Sequence, residues 1–197
     1  MAERAKETAA LPPAMLELPG MILGQEVPTD WLWWLKNVGY VLDSPLLWRE
    51  KCDILLLNVF GHRLPAPEEE CLQGILDFYF CGKTDTDASP PPERLLDWRK
   101  DALRIWGDFR VYTGIDLNAT RMHWWEFMGI FDSLPPDSQI MTAIRYRGID
   151  LSTIPDAKER AHYARVKRAV ALERTDYEAE YDAAMDRRDM HGSHIVR

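Results

Sequence analysis

Three short blocks of sequence decide the fold of this chain. Residues 106–117 read WGDFRVYTGIDL, residues 122–127 read MHWWEF, and residues 145–151 read RYRGIDL. Large apolar side chains in the first block recur three positions apart, which is close to the period of a helix and far from that of a strand. The Gly-Ile-Asp-Leu sequence in the first and third blocks suits the end of one helix and the capping of the next turn. The blocks therefore predict successive α-helices joined by short turns.

The same helical spacing of apolar residues extends through most of the chain. A seam of apolar residues from Leu95 to Tyr112 predicts one helix that ends at Gly114. No segment alternates with the period of two that a half-buried strand requires. Residues suited to begin a helix precede the other periodic segments: Asp30, Pro45, Pro67, Thr120, Asp137 and Asp156.

These signals predict an all-α fold, a single compact helical domain of about six to seven helices with a long charged C-terminal helix. The helical core domain is expected over residues 28–155 and the charged helix over residues 156–189. Residues 1–27 are expected to be a flexible N-terminal segment and residues 190–197 a disordered tail. Residues 83–92, which contain three consecutive prolines, are expected to be a linker within the core domain.

The aromatic residues are assigned to the core or to a partner surface by their position on each helix. Eight tryptophans promise extensive aromatic burial in a core, an interface or both. Trp33 and Trp125 fall off the apolar stripes of their helices and are predicted to bind a partner, as are Tyr163 and Tyr177 in a short seven-residue seam. Five aromatic residues are predicted to form the structural core: Trp106, Phe109, Tyr112, Trp124 and Phe131.

Net charge narrows the classes of partner. Residues 1–156 hold 15 basic and 24 acidic residues, a net charge of −9. Such a body repels phosphate backbones and anionic lipids, so neither nucleic acid nor a membrane is an expected partner. The three cysteines lack metal-ligand spacing and are typical of free thiols in a reducing cytoplasm.

The last predicted helix separates its charges. Its first half, to Arg168, is basic, whereas the half from Glu173 to Asp186 is acidic. One interpretation is a solvated helix with internal ion pairs. The other is head-to-tail contact between copies of the chain, which would make it a homo-oligomer.

Little in the sequence points to catalysis. His123 and Glu126 lie three residues apart and would share a helix face, but no second histidine or carboxylate pair completes a metal site. The favoured interpretation is that His123 is held by a hydrogen bond. Aspartates at 97, 101, 108 and 116 are expected to be solvated charges beside the apolar seam. No catalytic, cofactor-binding or metal-binding residue is therefore predicted.

The ordered set of aromatic motifs resembles the bacteriophage Gp15 family over roughly residues 26–170. The motifs that carry the resemblance are PTDW at 28–31, DFYFCGK at 77–83, IWGDF at 105–109, YTGIDL at 112–117, HWWEF at 123–127, LP at 134–135 and RYRGIDL at 145–151. The chain departs from the family pattern at Trp31, Leu32, Met122 and Glu126.

The resemblance implies a tail assembly protein in the cytoplasm of the bacterial host. Proteins of this kind are usually taken to be chaperones that bind the tape-measure protein, alongside other tail assembly proteins, during tail morphogenesis. The resemblance brings no catalytic residues with it. Two alternatives stay open: a structural neck or tail-completion component retained in the virion, and an enzyme that uses His123 and Glu126.

Overall fold

The structure is a computed structural model that describes residues 18–83 and 94–172. Its helices form one compact domain, which confirms the all-α fold class, and a two-stranded hairpin is added at the N-terminal end. In chain order the elements are β1 (Met21–Ile22), β2 (Gln25–Glu26), α1 (Trp31–Trp34), a π-helical turn (Leu35–Gly39), α2 (Tyr40–Leu42), α3 (Trp48–Phe60), α4 (Glu68–Tyr79), α5 (Ala102–Thr113), α6 (Trp124–Asp132), α7 (Gln139–Arg147), a 3-10 turn (Leu151–Thr153) and α8 (Ala157–Val170).

The core is built around the ring of Phe127, which is fully buried in α6. Its ring stacks on Trp31 at 4.8 Å and on Phe109 at 5.1 Å between centroids. Trp124 lies 5.6 Å away and stacks in turn on Tyr79 of α4 at 5.0 Å. Offset stacking of this kind adds to the free energy gained by burying large rings. One aromatic cluster therefore joins α1, α4, α5 and α6.

Polar atoms inside this cluster all have partners among the described residues. The indole N–H of Trp124 donates to the Tyr79 carbonyl at 2.8 Å, and the indole N–H of Trp98 donates to the Tyr79 hydroxyl at 2.9 Å. Burial raises the pKa of Tyr79 well above its ordinary value, so the hydroxyl stays neutral. Satisfied polar atoms allow tryptophans to lie deep in the core without an unpaired donor.

The predicted core is right in part. Phe109, Trp124 and Phe131 are buried, but Trp106 is 36% exposed and Tyr112 is 44% exposed. Helix α5 buries Ile105, Asp108 and Phe109, so its inward face includes a carboxylate and excludes Trp106 and Tyr112. Because α5 begins at Ala102, the predicted seam from Leu95 is wrong as one continuous helix.

Three aspartates that were expected to be solvated are buried instead. Asp108 accepts from the main-chain N–H of Gln139 at 3.1 Å and of Ile140 at 2.8 Å, and so caps α7 from another helix. Asp97 accepts from two N–H groups of the turn that follows it. Asp101 is fully buried and forms a two-pronged ion pair with Arg147 at 2.6 and 2.8 Å.

Arg147 connects three parts of the chain. Besides Asp101, its guanidinium donates to the carbonyl of Leu95 at 2.8 Å and to the carbonyl of Val170 at 2.6 Å. Burial by itself would raise the pKa of Asp101. Two other effects hold that pKa below its ordinary value: hydrogen bonds from Arg147 and from the Asp97 N–H, and the positive charges of Arg147 and Arg104. The carboxylate therefore stays charged inside the domain.

Several helix boundaries differ from the predicted ones. The helix predicted to begin at Pro45 is α3, and it begins at Trp48. Ser138, and not Asp137, caps α7. His123 caps α6 in place of Thr120. The predicted caps at Asp30 and Asp156 are confirmed, because each accepts main-chain N–H groups of the helix that follows: Leu32 and Trp33 for Asp30, and Glu159 for Asp156.

The two Gly-Ile-Asp-Leu sequences end their helices in different ways. Gly114 ends α5 in the left-handed conformation with φ of 75°, as predicted. Gly148 follows α7 with φ of −79°, in the ordinary helical region. Asp116 and Asp150 each accept an N–H two residues ahead, so the capping role predicted for the aspartates is confirmed.

The N-terminal hairpin was not predicted. Residues 18–27, expected to be flexible, include β1 and β2, in which Ile22 pairs with Gln25. Ile22 and Val27 are buried, and a Cβ atom on Gly74 of α4 would lie only 2.6 Å from Cγ2 of Ile22. The hairpin can pack this closely on α4 because Gly74 has no side chain.

The C-terminal helix is shorter than predicted. Helix α8 ends at Val170, where Ala171 takes an extended conformation with ψ of 141°, so it does not continue unbroken toward residue 189. Tyr177 and the acidic half of the predicted helix lie outside the described residues. The same is true of residues 1–17, of all but the first residue of the 83–92 linker, and of the 190–197 tail.

Candidate interaction surface

The described residues among those predicted to bind a partner are Trp33, Trp125 and Tyr163, and each packs against neighbours within the fold. Trp33 is half-buried and packs edge-on against Trp34 at 5.6 Å. Trp125 is also half-buried, and its indole N–H donates to the carbonyl of Phe78 at 2.8 Å. Tyr163 lies on α8 with its ring 6.3 Å from that of Tyr146. Both tryptophans therefore extend the core cluster, and Tyr163 helps to hold α8 against α7.

His123 has a structural role. Its Nδ1 accepts from the main-chain N–H of Trp125 at 3.0 Å, so the proton lies on Nε2, which donates to the carbonyl of Pro19 at 2.8 Å. Both ring nitrogens are occupied, and the exposed Glu126 makes no bond to either. In residues 18–83 and 94–172, no group of three or more His, Cys, Asp and Glu side chains is placed to hold a metal ion.

The family-like motifs meet in space and build the core. The main-chain N–H of Trp31 donates to the carbonyl of Met122 at 3.0 Å, and the N–H of Trp124 donates to the carbonyl of Thr29 at 2.7 Å. The ring of Phe78 lies 5.9 Å from that of His123. The blocks at 28–31, 77–83 and 123–127 thus form one packed unit that specifies the fold and contains no reactive cluster.

A groove opens to solvent between the end of α5 and helix α6, with a volume of about 520 Å³. Its lining residues are Tyr112, Thr113, Glu126, Gly129, Ile130, Ser133, Leu134 and Pro135. The Thr113 hydroxyl donates to the Phe109 carbonyl at 2.6 Å, and the Ser133 hydroxyl donates to the Gly129 carbonyl at 2.7 Å. Each of these hydroxyls therefore uses its proton within its own helix, and the groove presents both polar and apolar surface.

Among the described residues that line this groove, Glu126 is the only charged one. Its side chain makes no ion pair or hydrogen bond with any residue of the described ranges. Gly129, one turn along α6, has no other atom within 4 Å of the position a Cβ would take. The groove therefore combines apolar side chains, hydroxyl groups, an open position on α6 and one carboxylate.

Helix α5 also exposes apolar side chains that do not line the groove. Leu103 is 78% exposed and Val111 is 74% exposed, and every residue of the last turn, 110–114, is exposed. Asp116 anchors the following loop back onto this helix, accepting from the Trp106 indole at 3.3 Å. The sequence-based core prediction missed this surface because it assigned Trp106 and Tyr112 to the interior.

The fold is a small helical domain that exposes apolar side chains on α5. Among the described residues, no helix has the length and apolar character needed to span a membrane. Residues 37–172 match the family described as Bacteriophage Gp15 protein. The match covers more than half of the chain, and the chain belongs to that family and is a bacteriophage protein. No curated protein and no solved structure matches it.

The family match confirms the resemblance inferred from the motifs. It begins at Asn37, within the π-helical turn, and ends at Leu172, just beyond α8. The motif at 28–31 lies before the matched span, although it packs directly against the 123–127 motif inside it. The matched region therefore includes the groove and both helices that form it.

Proposed function

We propose that this protein is a phage tail assembly protein, a chaperone that binds the tape-measure protein while the tail is built. Membership of the Gp15 family supports a role in making the phage particle. The exposed side chains of Leu103 and Val111 on α5 support binding of a protein partner, since the centre of a protein interface is enriched in apolar side chains. The observation that carries the proposal is the exposure of Leu103 and Val111 on a helix that also contributes to the core.

A binding role fits the chemistry of the surface better than catalysis. The groove offers one carboxylate, and the hydroxyls of Thr113 and Ser133 that line it donate to main-chain carbonyls of their own helices. His123 uses both ring nitrogens within the fold. Catalysis by a hydroxyl or an imidazole needs a base or nucleophile whose reactive atom faces the substrate. The exposed Leu103 and Val111 instead suit contact with apolar side chains of a partner, which are the groups that an assembly chaperone would shield.

Co-expression with the tape-measure protein tests the proposal. The wild-type chain should retain the tape-measure protein in a pull-down, and the Leu103→Ser/Val111→Ser variant should retain much less. Leu57→Ser is the control, because Leu57 is also exposed, at 50%, but lies on α3. Failure of the wild-type chain to retain the tape-measure protein would contradict the chaperone proposal.

Mass spectrometry of purified particles separates this function from a structural one. A chaperone leaves before the tail is complete, so its peptides should be absent from the particles. Stoichiometric amounts in the particles would indicate a neck or tail-completion component retained in the virion. Either result would also show whether the host cytoplasm is the only place where the protein acts.

A further inference from the structure

We propose that the outer face of α8 binds residues 173–186 of the same chain, so that an acidic segment returns along a basic helix. These residues lie outside the described ranges and begin directly after Leu172. Only Ala171 and Leu172 separate them from the end of α8. The contact would form whichever partner the protein binds, and it would cover a basic surface that is otherwise open to acidic ligands.

Helix α8 has an inner and an outer face. Its inner face packs on α7 and includes Tyr163, Val166 and Val170, all half-buried. The outer face is exposed, and at helical spacing it holds Lys158, Ala161, His162, Arg165, Arg168 and Ala169. The outer face therefore places three cations in one row with small alanine side chains beside them.

The three cations of the outer face lack a carboxylate partner in the described structure. Lys158, Arg165 and Arg168 form no ion pair within residues 18–83 and 94–172. Arg168 donates to a carbonyl of its own helix at 3.3 Å. Exposed cations elsewhere do have acidic partners, as Arg121 has in Asp30 at 3.1 Å. The outer face therefore offers several cations to an acidic segment at once.

Charge favours the segment that follows the helix. Helix α8 holds five basic residues and one acidic residue, a net charge of +4. The other described residues hold 13 basic and 18 acidic residues, a net charge of −5. Residues 173–186 hold one basic and six acidic residues, also a net charge of −5. The segment is therefore attracted to α8 and repelled by the rest of the domain.

The chain can return along α8. Ala171 is extended, with ψ of 141°, and so turns the chain off the helix axis. Helix α8 has 14 residues and is about 21 Å long, a distance that residues 173–186 can span in a helical or an extended form. Attachment through so short a tether gives the segment an effective concentration on the order of mM. Copies would therefore exchange segments only at a comparable protein concentration.

Carbodiimide cross-linking of the full chain tests the contact, because it joins a lysine amine to a carboxylate only where the two groups meet. Lys158 is the reporter, since it lies about 18 Å along α8 from Val170 and the segment must return to reach it. At low salt and protein concentrations well below mM, Lys158 should be joined to carboxylates of residues 178–186. In a mixture of unlabelled and ¹⁵N-labelled protein, these cross-links should lie within single isotopic species.

Salt and a second lysine provide controls on the unmodified chain. About 1 M salt, where the screening length is about 3 Å, should remove most of the cross-links. Lys36 is also exposed but lies on the π-helical turn, and it should not be joined to residues 173–186.

Charge reversal tests the outer face of α8. Arg165→Glu/Arg168→Glu should lower the yield of the Lys158 cross-link at least about fivefold, since one exposed ion pair is worth up to about that factor and repulsion adds to it. Arg49→Glu/Arg63→Glu is the matched control, because it makes the same change of charge at exposed positions outside α8. The control should leave the yield unchanged.

A compensating variant shows whether the charges meet. Asp176→Arg/Glu180→Arg, added to the reversed helix, should restore the yield, and failure to restore it would contradict the contact. Equal yields for the reversed helix and its control would place the segment elsewhere. Cross-links that mainly join the two isotopic species would make the segment of a second copy the occupant. Absence of a Lys158 cross-link in wild type at low salt, or an equal yield at Lys36, would overturn the proposal.

Discussion

Replacing Arg147 by Met should lower the free energy of unfolding by about 3–5 kcal/mol, the range found when one partner of a buried ion pair is removed. Arg147 makes two charge-assisted bonds to the fully buried Asp101, at 2.6 and 2.8 Å. Its loss leaves that carboxylate buried with Arg104, at 3.0 Å, as its remaining cation. The carbonyls of Leu95 and Val170 lose their donor as well. The remaining Arg104 contact favours the lower half of the range.

Urea denaturation followed by tryptophan fluorescence measures this change directly, since Trp98 and Trp124 lie in the core. Arg145→Met is the control, because Arg145 is exposed and, in the described structure, contacts only the ring of Tyr146. This variant should change the free energy of unfolding by less than about 0.5 kcal/mol. The double variant Arg147→Met/Asp101→Leu should recover part of the loss, because it leaves no buried unpaired charge. A loss below about 1 kcal/mol for Arg147→Met, with no recovery in the double variant, would refute the reasoning.

Four further outcomes are expected. Trp124→Ala should cost about 3–5 kcal/mol in denaturant melts, as for a buried aromatic, and a cost under about 1 kcal/mol would contradict its burial. Gly74→Ala should release the hairpin, because the new Cβ would lie 2.6 Å from Ile22; hydrogen exchange in residues 18–27 should then rise while α4 stays protected. Because the pKa of Asp101 is lowered, its contribution to stability is present above about pH 4 and is lost as the pH falls through the folded-state pKa. Asp101→Asn should therefore flatten the pH dependence of the free energy of unfolding below about pH 4. The same pH dependence in wild type and variant would oppose this. Association of copies through the oppositely charged halves of residues 156–189 should weaken above about 0.15 M salt, and a strict monomer at low salt in light scattering would exclude it.

Local periodicity was enough to predict most of the helices and three core residues. Phe109, Trp124 and Phe131 were predicted correctly because each lies on an apolar stripe that its own helix defines. Trp106 and Tyr112 were placed wrongly because the inward face of α5 includes Asp108, which the sequence suggests is solvated. The partners of that carboxylate are N–H groups about thirty residues away, so no local pattern marks it.

The groove could not be predicted for a related reason. It forms where the projecting last turn of α5 faces α6, and the distance between two helices is a property of their packing. Gly129 looked like an ordinary helix glycine, and the structure is needed to see that open space lies beside it. The unpaired Glu126 was a weak signal, since it departs from the family-like pattern inside an otherwise matching motif.

The contacts of Arg147 also determine where two stretches of the chain are attached. The Nη1 atom of Arg147 donates to the carbonyl of Leu95, near the start of the described range 94–172. Its Nε atom donates to the carbonyl of Val170, near the end of that range. Two points of the chain that are 75 residues apart in the sequence are therefore attached to the fold by one side chain. Loss of that side chain would release both points at once.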